Sequence, residues 1–144
     1  MRAFSPDVVG CDLAEFDIAD ERSALEAIRR LGPRLIVNCA AATDVDRCEL
    51  DHDYADNANL IGPANVARAA AEVGARMIHI STDFVFDGSK GGSYREDESP
   101  RPLSYYGLSK LRGEEAVMAA LPNAIVVRTS WLYGGGEAHF PAKV

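Results

Sequence analysis

The chain has 144 residues, of which 47% are hydrophobic and 26% charged, a composition typical of one globular domain. Its net charge of −7 argues against nucleic acid and anionic membranes as partners, because both require a basic face. No apolar run is long enough to span a bilayer and the first residues form no hydrophobic signal region, so we expect a cytoplasmic protein.

The cysteines and histidines do not predict a metal site. Cys11, Cys39 and Cys48 are odd in number and lack the spacing of metal ligands, and the three histidines do not cluster with them. We therefore expect reduced thiols and no bound metal.

The first part of the chain is predicted to alternate strands with a helix. Residues 1–4 are typical of the end of a helix, and residues 7–12 predict a short buried strand that ends at Asp12. Asp20 can cap the helix that follows, and Gly32-Pro33 would end that helix. The apolar run at 34–38 then predicts a strand covered on both faces, as in a parallel sheet.

The rest of the chain continues the same alternation. Residues 54–73 predict a long helix with a kink at Gly62-Pro63. Two further strands are predicted at 76–80 and 124–129, on either side of a long loop and a second helix. This order of elements predicts an α/β fold with a Rossmann-type doubly wound parallel sheet.

Small and hydroxyl-bearing residues follow two of the predicted strands. Cys39, Ala40 and Ala41 come after the strand at 34–38, where small side chains allow either a flat ligand or tight packing. The string 81–83, Ser-Thr-Asp, ends the next strand, where a hydroxyl can bind a substrate carbonyl or form a turn. The loop at 87–104 is long for a compact domain and is therefore a candidate functional segment.

A tyrosine and a lysine lie one helical turn apart near the start of the second long helix. Tyr106 and Lys110 are at i and i+4 and so share a helix face, whereas Tyr105 is off that face. A phenol with a pKa of about 10 exchanges protons poorly at neutral pH, and a nearby ammonium lowers that pKa. Tyr106 is therefore a candidate general acid, although an exposed surface pair has the same spacing.

Four strings in this order carry a resemblance to a known family. They are Asn-Cys-Ala-Ala-Ala-Thr-Asp-Val-Asp at 38–46, Ser-Thr-Asp-Phe-Val-Phe-Asp-Gly at 81–88, Tyr-Gly-Leu-Ser-Lys at 106–110 and Arg-Thr-Ser-Trp-Leu-Tyr-Gly at 128–134. The set resembles the dTDP-4-dehydrorhamnose reductase branch of the extended short-chain dehydrogenases/reductases. The resemblance runs over nearly the whole chain.

The resemblance implies hydride transfer from NADPH or NADH to the C4 ketone of a nucleotide-linked 4-keto-6-deoxysugar. Thr82, Tyr106 and Lys110 match the catalytic set, in which the tyrosine donates the proton and the lysine also holds the nicotinamide ribose. The matched cofactor-binding positions also include Asp17, Ile18, Asn38, Cys39, Ala40, Ala41, Asn59 and Ser81, and the matched substrate-binding positions are Thr82, Asp83, Phe84 and Trp131. A homo-oligomer is compatible with this family.

Asp12 carries a separate expectation about cofactor choice. If it ends the second strand of a Rossmann sheet, its carboxylate can bind a ribose 2′-hydroxyl and repel a 2′-phosphate. We therefore expect NADH to serve at least as well as NADPH.

The sequence departs from the family pattern in three ways. Phe84 and Ala42 stand where tyrosine is common, so some polar contacts to the substrate are in doubt. No glycine-rich phosphate loop and no strand before it precede residue 1, and this first strand would lie between Val8-Val9 and the strand at 76–80. The chain ends before the region that would complete a substrate domain. We therefore expect residues 1–144 to be an incomplete dinucleotide-binding domain that is inactive by itself.

Two other functions share much of this pattern. The regulatory β subunit of methionine adenosyltransferase is a non-catalytic relative, but Thr82 and the Thr-Ser-Trp string at 129–131 follow the reductase pattern instead. Nucleotide-sugar epimerases and dehydratases use the same Tyr/Lys pair with an added carboxylate, a role that Asp83 could fill.

Overall fold

The computed structural model of the chain describes residues 2–5 and 7–130. Three parallel strands form its main sheet: β3 (Leu35–Asn38), β4 (Arg76–Thr82) and β5 (Ile125–Thr129). β4 lies in the middle, paired with β3 from Leu35↔Arg76 onward and with β5 from Ile78↔Ile125 onward. The alternation of strands and helices thus gives the parallel sheet that the sequence predicts.

Helices precede and connect these strands, and the two longest helices pack on one face of the sheet. They are α1 (Glu21–Leu31), α2 (Val45–Leu50), α3 (His52–Asp56), a π-helix (Asn57–Ile61), α4 (Gly62–Val73), a 3₁₀ turn (Asp83–Val85) and α5 (Tyr105–Ala120). None of the helices in the described part of the chain is long and apolar enough to cross a membrane.

The hydrophobic core lies between the helices and that sheet face. Met77 of β4 is 1% exposed and packs with Val66 of α4 and Val117 of α5. Small residues allow the helices to approach each other closely, since Ala67 and Ala70 of α4 are fully buried. Buried apolar area of this kind is the main favourable term in folding.

The ends of α1 follow the capping residues that the sequence predicts. The Asp20 carboxylate accepts a hydrogen bond from the Ser23 amide at 3.0 Å, as a helix N-cap does. Gly32 ends the helix with φ 56°, a left-handed conformation that glycine adopts without the steric cost of a Cβ.

The predicted kink at Gly62-Pro63 is a π-helical turn. The Gly62 amide donates to the carbonyl of Asn57, five residues earlier, where an α-helix would bond four residues earlier. Pro63 has no N–H with which to continue an α-helical ladder, so the wider turn accommodates it. The single predicted helix at 54–73 is therefore three consecutive helical segments.

The prediction for the N-terminal residues was wrong. Residues 2–5 form a strand, β1 (Arg2–Ser5), and β2 (Val8–Gly10) pairs with it antiparallel in a separate two-stranded sheet. β2 is also not buried, since Val8 and Val9 are 47% and 48% exposed. Two residues separate the strands, so this local pairing requires little loop-closure entropy.

The position that we predicted for the first strand of the Rossmann sheet was also wrong. We expected it beside residues 76–80, but β4 pairs with another strand along both of its edges. Within residues 7–130, the outer edges of the main sheet belong instead to β3 and β5.

Candidate active site

The candidate site lies where the three parallel strands end. Asn38, Thr82 and Thr129 are the last residues of β3, β4 and β5, and the register places these ends at one edge of the sheet. Ligands of open α/β sheets bind at this carboxyl edge.

Helix α5 brings Tyr106 and Lys110 to that edge. Ser104 caps the helix by accepting a hydrogen bond from the Gly107 amide at 3.1 Å. A Cβ at Gly107 would overlap the main-chain carbonyl of Phe84, so glycine is required for the start of α5 to lie against the residues that follow β4. This contact places the first turn of α5 beside Thr82.

The side chains of Thr82 and Tyr106 interact where β4 ends. Burial raises the pKa of the Tyr106 phenol, and a hydrogen bond with the Thr82 side chain acts in the opposite direction. Thr82 is 6% exposed, and its Oγ1 accepts a hydrogen bond from the Phe84 amide at 3.2 Å. The two side chains therefore lie next to each other at the end of β4.

Lys110 lies beneath this pair and is almost completely buried. It is 2% exposed, and its ammonium donates to the main-chain carbonyl of Ile80 at 2.7 Å. Burial lowers the pKa of Lys110 to about 8, while the nearby Glu114 carboxylate acts to raise it. A buried lysine of this kind responds strongly to neighbouring charge.

The expected effect of Lys110 on Tyr106 is not present in this structure. We expected the ammonium to lower the pKa of the phenol, but that pKa is raised, with burial as its largest cause and Lys110 not among the causes. The reason is geometric, because the ammonium is bonded to Ile80.

Asn59 holds the chain just past the end of β3. It is fully buried, and its side-chain amide both accepts from the Ala42 N–H at 2.9 Å and donates to the Ala42 carbonyl at 3.1 Å. The same amide donates to the Ser109 hydroxyl at 3.0 Å, which links β3 to α5. A Cβ at Gly113 would overlap the Asn59 carbonyl, so α5 contacts the π-helix without side-chain separation.

Asn38 and His79 form a buried polar pair beside Lys110. The Asn38 amide and His79 Nδ1 are 3.2 Å apart, and His79 Nε2 has no hydrogen-bond partner within the described residues. Burial, with a smaller contribution from the Lys110 charge, lowers the pKa of His79 to about 4. The imidazole is therefore neutral near pH 7. Asn38 reaches onward, since its Oδ1 accepts from the Ala40 amide at 3.2 Å.

The remaining predicted residues at this edge differ in accessibility. Cys39 and Ala40 are exposed and Ala41 is half-buried, so the segment after β3 is open to a ligand. Asp83 is exposed, and the Phe84 ring is 47% exposed with an edge contact to the Tyr106 ring at 5.5 Å between centroids.

Ser81 is turned away from solvent. Its side chain is buried, and its hydroxyl donates to the Glu114 carboxylate at 2.5 Å. The hydroxyl that the sequence offered as a cofactor contact is thus engaged inside the protein.

The other predicted contacts belong to the chain before α1. Asp12 and Asp17 are exposed and accept hydrogen bonds from nearby main-chain amides, Leu13 at 2.7 Å and Ala19 at 2.8 Å. Because β2 lies outside the main sheet, Asp12 does not end a strand of that sheet as we expected. The prediction of NADH preference loses its structural basis with it.

Ile18 joins this N-terminal segment to the helices. Its side chain packs against Gly62 and the main core, and its carbonyl accepts from the Asn65 side chain at 2.9 Å. Trp131, a predicted substrate contact, lies outside the described residues.

Sequence reasoning missed a buried ion pair next to the site. Glu114 of α5 is 5% exposed and forms a salt bridge at 2.6 Å with Arg128 of β5. The signal was available, since Glu114 is at i+4 from Lys110 and Arg128 is a charge within a strand that is otherwise apolar or uncharged.

The arrangement is suited to acid catalysis at a carbonyl. Tyr106 and Thr82 bring two hydroxyl side chains next to each other, so a ketone oxygen beside them can receive hydrogen bonds from both. Within the described residues, one ammonium N–H of Lys110 bonds to Ile80, which leaves two N–H groups that can bind further hydroxyls.

Comparison with known proteins gives the same family as the sequence motifs. Residues 2–144 match the family model described as the RmlD substrate binding domain. A curated relative from Mycobacterium tuberculosis strain H37Rv, named dTDP-4-dehydrorhamnose reductase, is 47% identical over 134 residues, which cover 90% of this chain and 43% of that protein. The chain thus spans less than half the length of this relative.

Solved structures agree in fold. A crystal structure of a dTDP-4-dehydrorhamnose reductase from Clostridium acetobutylicum superposes with a TM-score of 0.89 at 42% identity, covering 92% of this chain and 47% of that one. A Bacillus anthracis dTDP-4-dehydrorhamnose reductase in complex with NADP gives 0.86 at 39% identity, covering 88% of this chain and 45% of that one. These structures confirm the predicted Rossmann-type class.

Proposed function

Because the chain belongs to the RmlD substrate binding domain family, we propose that it carries the catalytic residues of an NAD(P)H-dependent reductase. The proposed substrate is dTDP-4-dehydrorhamnose, whose C4 ketone is reduced to the alcohol of dTDP-L-rhamnose. The relatives named dTDP-4-dehydrorhamnose reductase support this reaction. The proposal also places the protein in the cytoplasm, with a nucleotide sugar as its partner.

One observation carries the proposal: Thr82 and Tyr106 are neighbours at the end of β4, beside a buried lysine. The two hydroxyl side chains interact at the end of β4, and Lys110 is bonded to the same strand two residues before Thr82. Lys110 is only 2% exposed and lies one helical turn from Tyr106, the acid candidate. A lysine and a tyrosine that lie close together and both have perturbed pKa values are typical of a catalytic site.

The residues at the sheet edge fit a nicotinamide cofactor. Cys39 and Ala40 are small and exposed, so a flat group can approach the main chain after β3. The two free N–H groups of Lys110 can bind ribose hydroxyls, and Asn59 keeps the main chain at Ala42 in place. When bound, NADPH or NADH supplies the hydride that reduces the ketone carbon. The NADP in the Bacillus anthracis structure supports this choice.

The protein's own residues supply the proton and stabilise the developing charge. In the proposed mechanism Thr82 donates a hydrogen bond to the ketone oxygen and Tyr106 donates its proton to that oxygen as it becomes an alkoxide. Since burial raises the pKa of Tyr106, the phenol stays protonated at neutral pH, as an acid must. The role of Lys110 in this mechanism is to hold the nicotinamide ribose, because its ammonium is bonded to the Ile80 carbonyl and does not lower the pKa of Tyr106 in this structure.

The proposal assigns residues 1–144 to the cofactor-binding part of the enzyme, with the substrate domain outside them. The aligned region covers 43% of the Mycobacterium tuberculosis relative, so we expect the 144-residue chain to lack activity by itself. Activity is therefore best tested after joining this chain to the flanking segments of that relative, and we refer to the resulting chimaera as the fusion protein.

The test is a coupled assay of the fusion protein with dTDP-4-dehydro-6-deoxysugar and NADPH. Net oxidation of NADPH, with a 6-deoxysugar alcohol as product, is the expected result. Conversion of the sugar without net oxidation would indicate an epimerase or dehydratase. Absence of turnover in a folded fusion protein would point to a non-catalytic role.

A further inference from the structure

A buried network behind the catalytic residues has no role in the proposed mechanism. It joins Ser81 of β4, Glu114 of α5 and Arg128 of β5, and we refer to these three residues as the strand–helix network. Ser81 donates to Glu114 Oε1, and the Arg128 guanidinium donates to both carboxylate oxygens at 2.6 to 3.2 Å. Such a two-pronged contact fixes the carboxylate in both position and orientation.

The network is continuous with the catalytic residues along α5. Tyr106, Lys110 and Glu114 follow each other at intervals of four residues and therefore lie on one helix face. Lys110 is bonded to the Ile80 carbonyl and Glu114 to the Ser81 hydroxyl, so the helix holds two consecutive residues of β4. The next residue of that strand is Thr82.

Within the described residues, Glu114 is the one carboxylate that acts on the charge of Lys110. Burial acts against the charged form of Lys110, and the Glu114 carboxylate acts for it. The Cys39 thiol after β3 also acts for the charged form of Lys110, and the nearby His79 imidazole of β4 is neutral near pH 7. Arg128 of β5 forms an ion pair with Glu114 at 2.6 Å. Since Lys110 is 2% exposed, water contributes little to its stabilisation.

We propose that Glu114 is a positioning residue that keeps Lys110 charged and fixes Thr82 beside Tyr106. The charge acts across one helical turn, and the bond to Ser81 acts on the strand that ends in Thr82. Arg128 orients the carboxylate so that it can do both. The inference rests on the proposed function, because it assigns Glu114 a task in the same catalytic set.

The charge of Lys110 can be measured directly on the 144-residue chain. The sequence contains three lysines, so lysine labelled with ¹³C at the ε position gives three NMR signals, and a Lys110→Arg variant identifies the relevant one. The titration midpoint of that signal reports the protonation of Lys110 without any need for turnover. Failure of the enzyme assay would therefore leave this test intact.

The test compares Glu114→Gln with Glu115→Gln. Both remove one negative charge from adjacent positions of α5, but Glu114 is buried and Glu115 is exposed. An opposite charge nearby shifts a pKa by about 1–3 units, so we expect the midpoint of Lys110 to fall by about 1 unit in Glu114→Gln. We expect it to stay at the parent value in Glu115→Gln, because water screens that carboxylate.

A midpoint in Glu114→Gln equal to that of the parent would overturn the proposal. A purely structural Glu114 would lower the melting temperature without moving that midpoint. If Glu114→Gln does not fold because Arg128 is left unpaired, the double variant Glu114→Gln/Arg128→Gln leaves no unpaired buried charge. A lower midpoint for Lys110 is expected there too, and an unchanged one would equally overturn the proposal.

Discussion

The two faces of the main sheet differ in what covers them. On one face, Met77, His79 and Ser81 of β4 are buried under α4 and α5. On the other, the side chains of the outer strands are open, with Val37 53% exposed and Ile125 58% exposed. The register aligns both residues with Ile78, so they form one row across the sheet.

The difference shows that apolar strands alone do not locate the site. The sequence of β3 and β5 is apolar on both faces, and a parallel sheet usually buries both. What distinguishes the helix-covered face is its buried polar groups, His79, Ser81 and Asn38, each with a hydrogen-bond partner. Buried polar groups with hydrogen-bond partners therefore mark the side of this sheet on which the candidate site lies.

The largest effect on the covered side is expected from Tyr106→Phe in the fusion protein. Loss of the proton donor should reduce kcat by about 10²–10⁴-fold while NADPH binding persists, because general acid catalysis contributes that much. Steady-state kinetics and a cofactor titration measure the two quantities. The matched control is Tyr105→Phe, which removes the hydroxyl that donates to Asp56 at 2.9 Å and lies off the catalytic face. A Tyr106→Phe enzyme within a few-fold of its parent would show that the assigned role is wrong.

The two faces can be compared directly by truncating one residue on each. Met77→Ala should lower the free energy of unfolding by about 2–5 kcal/mol, since it removes a side chain that is 1% exposed. Ile125→Ala should change it by less than about 0.5 kcal/mol, since that residue is 58% exposed. Urea unfolding of the 144-residue chain measures both. Equal losses would mean that the open face is covered in solution.

The close contact between α5 and the π-helix should not tolerate a side chain at Gly113. Gly113→Ala places a Cβ on the Asn59 carbonyl and should cost about 1–3 kcal/mol of unfolding free energy as the helices separate. Gly91→Ala is the control, because a Cβ there meets nothing within 4 Å. Thermal melts of the two variants should differ clearly. A stabilised Gly113→Ala, as expected for an unhindered helical position, would refute the close contact.

The smallest effect concerns the pH dependence of stability on the covered side. The pKa of His79 is about 4 in the folded chain against 6.5 for the free side chain, so the unfolded chain binds the extra proton between these values. Stability should therefore fall with decreasing pH across this window, by at most about 1.4 kcal/mol per pH unit from this residue. His79→Gln should remove that part of the slope between pH 6.5 and 5. Identical slopes in the two proteins would contradict the buried neutral imidazole.

Much of this arrangement follows from local patterns in the sequence. The three parallel strands, the caps of α1 and the common face of Tyr106 and Lys110 each depend on residues close together in the chain. The ordered motifs then supplied the family, and with it Thr82 and Asn59. These residues are far apart in the sequence, and no spacing rule brings them together.

The features that the sequence did not reveal depend on contacts between distant segments. The pKa of Tyr106 is set by burial and by Thr82, not by its neighbour on the helix, because Lys110 bonds to Ile80. The sequence alone does not show that Glu114 is buried, because its partner Arg128 lies on a strand that follows later in the chain. The pairing of β1 with β2 is a local exception, because a pattern of apolar residues does not specify which strand pairs with which.

The Asn59 side chain makes the main-chain hydrogen bonds that a neighbouring strand would make in a sheet. Its side-chain amide offers one acceptor and one donor to the two main-chain groups of Ala42, the same pair of bonds that a neighbouring strand exchanges in a ladder. One amide side chain therefore acts as a surrogate peptide group at the sheet margin. An aspartate there would lack the donor, and a leucine would lack both groups. The main-chain hydrogen-bonding groups past the end of β3 are thus satisfied at one residue, Ala42. Cys39 and Ala40, which precede Ala42, remain accessible.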